Sequence, residues 1–101
     1  MPASLCIYEV GFNSTAVPID ADKMQRDLDL VLTPMERGFG NFVIATAQNA
    51  DSLTYNLHKE GYTAFEVRQI RAADVNGQYK YASLRQQITA IVNQWKGPKD
   101  F

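Results

Sequence analysis

Phe42-Val43-Ile44-Ala45 is an unbroken apolar run with no polar residue to mark a wet face. A segment this short and apolar on both sides fits a strand in the middle of a sheet, covered on both faces or paired on both edges. After it, Asn49 and Asp51 offer helix N-caps, Leu53 and Leu57 lie one turn apart, and Gly61 supplies a stop. Thr63-Ala64-Phe65-Glu66-Val67 then reads as extended. The stretch 41–70 is therefore read as a small β-α-β unit to which the other segments are added.

The length of 101 residues suits one domain, 1–101, and is too short for two. With 46% apolar residues a single core is expected, without metal or disulfide staples. A net charge of −1 removes the usual argument for non-specific nucleic-acid binding. Cys6 is the single cysteine, so no internal disulfide is possible and a reducing, cytoplasmic location is expected. No run approaches the roughly 20 apolar residues of a membrane helix, so no membrane association is expected. The first residues lack the basic-then-apolar pattern of a signal peptide.

Residues 5–12 are rich in strand formers. Cys6, Tyr8, Val10 and Phe12 would share one face, with Leu5, Ile7 and Glu9 on the other. Asp20 then fits an N-cap, and Met24, Leu28, Val31 and Met35 follow helical spacing; Pro34 disfavours helix at Thr33, so the helix is expected to end near Leu32. Residues 28–32 also fit a strand, and helix is preferred because capping and periodicity agree. Asn76-Gly77 is a strong hairpin signal joining an extended segment 63–73 to 78–81. Ile70 falls on the face opposite Phe65 and Val67, which a bulge near Arg68-Gln69 would repair. Ser83 and Gln86 fit a capping box, followed by the stripe Leu84, Ile88, Ile91, Val92 and Trp95.

The expected fold class is α/β of the two-layer α+β kind. The order is β-α-β-α-β-β-α, with a four-stranded mixed sheet, two or three helices, and the last two strands a hairpin. In element order alone this resembles the Alba-like and SirA-like two-layer folds. No sequence motif of either is matched, and likeness of this kind establishes no function.

Chemistry is sparse. One His and one Cys make a zinc site untenable, and Asp20, Asp22, Asp27 and Asp29 interleave with Lys23 and Arg26 as a solvated helix face does. Cys6 within an apolar strand behaves as a small hydrophobe, and His58 suits a helix C-terminus. Ala47-Gln48-Asn49-Ala50 opens a helix after a strand but lacks the glycine of a phosphate cradle. No catalytic residue, metal or cofactor is expected.

One surface stands out. Arg68, Arg71, Lys80 and Arg85 interleave with Tyr79 and Tyr81 between positions 65 and 85. Arg and Tyr are favoured at protein interfaces, and the same pair can stack on bases and hold phosphates. Water-facing strands also carry such residues with their stems along the sheet. The leading expectation is a non-enzymatic module that binds a protein partner as a regulator, inhibitor or assembly accessory. Nucleic-acid binding through the same hairpin ranks second and a small enzyme third. Tyr79, Tyr81 and Trp95, where not buried, are candidates for self-association.

Overall fold

A computed structural model describes residues 5–14, 18–35, 41–71 and 84–97. Seven elements follow in order: β1 (Cys6–Ser14), α1 (Ala21–Asp27), β2 (Leu30–Pro34), β3 (Asn41–Thr46), α2 (Ala50–Lys59), β4 (Ala64–Ile70) and α3 (Arg85–Gln94). The sheet order is β2-β3-β1-β4, and every neighbouring pair is antiparallel. β1 and β2 therefore run parallel with β3 between them, and β3 and β4 run parallel with β1 between them. Two split β-α-β units interlock, the ferredoxin-like arrangement, with α1 and α2 as the crossovers.

β3 is the interior strand expected of its apolar run. It pairs with β1 on one side and β2 on the other, and Val43, Ile44 and Ala45 are fully buried. Strand alternation sends its side chains into two cores. One face holds Tyr8, Val10, Phe12, Leu30, Leu32 and Ile44 beneath Met24 of α1 and Leu53 and Leu57 of α2. The other holds Ile7, Val43, Ala45 and Ile70 beneath Leu84, Ile88, Ile91 and Trp95 along α3. Each fully buried Ile, Val or Leu contributes roughly 1.5–3 kcal/mol. The two faces together therefore offset much of the ordering entropy that a domain this small must overcome.

The caps of the first two helices follow the sequence reading. Asp20 accepts the Lys23 N–H at 3.1 Å and Asn49 accepts the Ser52 N–H at 2.8 Å. Gly61 ends α2 at φ 103°, with its N–H donating to His58 O and the Tyr62 N–H donating to Leu57 O. That pair of reversed bonds is a Schellman motif, and the left-handed residue at its centre favours glycine. Tyr62, 3% exposed, folds back into the core.

The α+β class and three helices stand as expected; the described residues form a four-stranded sheet whose membership differs in detail. The sheet is antiparallel rather than mixed. Residues 30–34 form a strand, where the first helix was expected to run on to about Leu32. Helix α1 stops at Asp27, and Asp29 turns the chain at φ 52°, a conformation Asp tolerates better than most residues. Leu30 and Leu32 then point into one core while Val31 packs against the other. No bulge re-aims Ile70, because the face opposite Phe65 and Val67 is itself covered by α3. The irregularity in this pair lies instead between Phe12 and Ser14 of β1. α3 thus forms a separate layer over part of the second face. It begins after Leu84, which gives no side-chain cap. Ser83, the Asn76-Gly77 turn and the expected strand 78–81 lie outside the described residues.

Candidate functional site

α3 covers only part of its face of the sheet. Its apolar residues lie over Ile7, Val43, Ala45 and Ile70. Further along the same face the strands present Glu9, Gly11 and Asn13 from β1, Asn41 from β3, and Glu66 and Arg68 from β4. These residues line a concavity of about 260 Å³. Register explains the grouping: Glu9 lies opposite Arg68, and Gly11 lies between Glu66 on one side and Asn41 on the other. Gly11 also makes room, since a Cβ there would come within 2.7 Å of Asn41 Oδ1. Glu66, Arg68 and Asn13 are exposed, and Glu9 and Asn41 are half-buried. The result is a cation set among two carboxylates and two amides on a rigid floor.

Of the residues singled out in the sequence, Arg68 belongs to this concavity. Arg71, one position beyond β4, and Arg85, at the start of α3, are exposed but do not line it. Tyr79, Lys80 and Tyr81 lie outside the described residues. Trp95, considered for self-association, is 8% exposed and belongs to the core beneath α3. Glu9, Asn13 and Asn41 were not foreseen. The available signal was Glu9 itself, a carboxylate breaking the apolar face begun by Leu5 and Ile7.

A second polar cluster serves the fold. Gln48, just before α2, donates from Nε2 to Leu28 O and to Thr46 Oγ1, and its Oε1 accepts from Asn56 Nδ2 at 2.6 Å. Its backbone N–H donates to Thr46 Oγ1, and its carbonyl accepts the Tyr8 hydroxyl at 2.7 Å. Thr46, fully buried, donates in turn to Asp29 O. Burial and a hydrogen bond with the Cys6 side chain push the Tyr8 phenol well above its ordinary value. The 47–50 segment considered as an anion cradle thus has the Gln48 N–H and, one turn on, the Ser52 N–H held by the chain's own side chains.

Cys6 and His58 do not form a nucleophile–base pair. The His58 ring lies 4.8 Å from that of Phe65, which sits opposite Phe12, and its Nδ1 is 3.1 Å from Tyr62 O. Cys6 is at the other end of β1, roughly 20 Å away at the rise of an extended strand. Among the described residues no group of three His, Cys, Asp or Glu could hold a metal ion. Nor, among them, is any helix long and apolar enough to cross a membrane. No protein-family model, curated protein or solved structure matches the chain.

Proposed function

We propose that the chain is a non-enzymatic binding module that recognises a protein partner through the open part of the α3-bearing sheet face. The observation that carries this reading is the charge pattern around Arg68. Glu9 stands opposite it and Glu66 lies two residues away on the same face, with Asn13 and Asn41 beside them. A phosphate backbone is best met by a run of cations, and two carboxylates flanking the arginine oppose it. A protein surface with its own mixture of charges and amides suits the pattern, because electrostatic complementarity fixes register and partner choice. Regulator, inhibitor and assembly accessory are all compatible with such a surface. Arg71 and Arg85 would extend it at its margins.

Two variants test this reading, Arg68→Glu with Arg71→Glu, and Gly11→Ala, which displaces the Asn41 amide. Each should keep the wild-type circular dichroism spectrum and lose a partner captured from host lysate and identified by mass spectrometry. Capture unchanged in both would refute the surface. Oligonucleotide binding that collapses between about 50 and 200 mM salt would favour the nucleic-acid reading instead.

A further inference from the structure

The opposite side of the sheet carries a different device. Among the described residues β2 pairs with β3 alone, and its outer side is an edge of the sheet they form. In an antiparallel pair the outward backbone groups fall on alternate residues. Met35 N–H points inward, donating to Asn41 O, whereas Leu32 N–H points outward. Leu30, Leu32 and Pro34 therefore form the outward set. Two of the three are blocked. Gln25 of α1 accepts the Leu32 N–H at 3.4 Å, Pro34 has no N–H to give, and the Pro34 carbonyl accepts from Gln87 Nε2 of α3 at 2.7 Å. Two helices on opposite faces of the sheet thus each send one glutamine around the same edge.

We propose that Gln25, Pro34 and Gln87 are a guard that keeps β2 from pairing with β2 of a second copy of this chain. A bare Leu-Val-Leu-Thr edge is a template for strand addition. A second copy fits it best, because a two-fold axis through Leu32 sets outward residues opposite outward residues: Leu32 against Leu32, and Leu30 against Pro34. The guard acts on those positions: Pro34 returns no bond to Leu30 of the other copy, and the glutamines stand where its strand would lie. A hollow of about 660 Å³ lies beside the start of the strand, lined in part by Gln25, Leu30, Val31 and Trp95. Arg68 and Glu66 lie on β4, with two strands between them and this edge, and the guard residues do not line their concavity, so the two proposals are tested separately.

The test compares wild type with Gln25→Ala, Gln25→Glu and the double variant Gln25→Ala/Pro34→Thr. Mass is read by light scattering across a concentration series, and amide exchange at Leu32 by NMR. Gln25→Ala should speed Leu32 exchange roughly two- to tenfold in dilute solution, the effect of one lost hydrogen bond. Gln25→Glu, which keeps an acceptor, should restore it. The double variant should gain mass with concentration beyond wild type, with Leu32 becoming protected as it does. If the double variant fails to fold, Gln25→Ala/Gln87→Ala takes its place. A folded variant with wild-type mass at every concentration overturns the proposal. So does an unchanged Leu32 amide in Gln25→Ala, or added mass without Leu32 protection.

Discussion

Replacing Gln48 with Ala tests the polar cluster that ties the ends of both crossovers to the sheet. The substitution removes the bonds from Nε2 to Leu28 O and Thr46 Oγ1 and the bond from Asn56 to Oε1. It leaves the backbone bonds to Thr46 and Tyr8 in place. Each lost bond contributes about 0.5–1.5 kcal/mol net. Water can replace some partners, because Gln48 and Asn56 are only half-buried, so the expected loss is about 1.5–3 kcal/mol. For a domain of this size that lowers the melting temperature by about 6–24 °C. Urea unfolding of wild type, Gln48→Ala, Asn56→Ala and the double variant should also show a coupling of roughly 0.5–1.5 kcal/mol between the two residues. A loss below about 0.5 kcal/mol, the range of ordinary surface changes, would refute the view that this cluster holds the crossovers in place.

Two further outcomes are expected. Gly61→Ala, at φ 103°, should cost about 1–2 kcal/mol in urea unfolding, since an L side chain is strained there. Tyr8→Phe should cost about 1 kcal/mol at neutral pH through the lost bond to Gln48 O, and should flatten the alkaline limb of the stability curve. The sign follows from the raised folded-state value: the phenol's contribution is complete below its ordinary value of 10.0 and is lost as pH rises above it. Equal alkaline slopes in wild type and variant would count against this.

Much of the architecture was legible because local signals and burial agreed. The two-faced apolar run 42–45 specified an interior strand, and Asp20, Asn49 and Gly61 cap helices as their chemistry requires. β2 was misread because Leu28, Leu30, Val31 and Leu32 satisfy both periods at once. What separates the two readings is Asp29, and its positive φ leaves no mark in the sequence beyond an Asp in a turn. Ile70 needs no bulge because α3 covers the face opposite Phe65 and Val67, which strand alternation alone does not reveal. The concavity was half-legible: Arg68 stood out by its charge, but Glu9 and Asn41 join it through a strand pairing that only the fold supplies.

The most direct test of the account is an NMR titration of the labelled chain with a protein captured from host lysate by the wild type. Shifts concentrated at Glu9, Asn13, Asn41, Glu66 and Arg68, with α1 and α2 undisturbed, are the predicted result. Shifts confined to the helical face around exposed Tyr55, with the Arg68 surface silent, would contradict it.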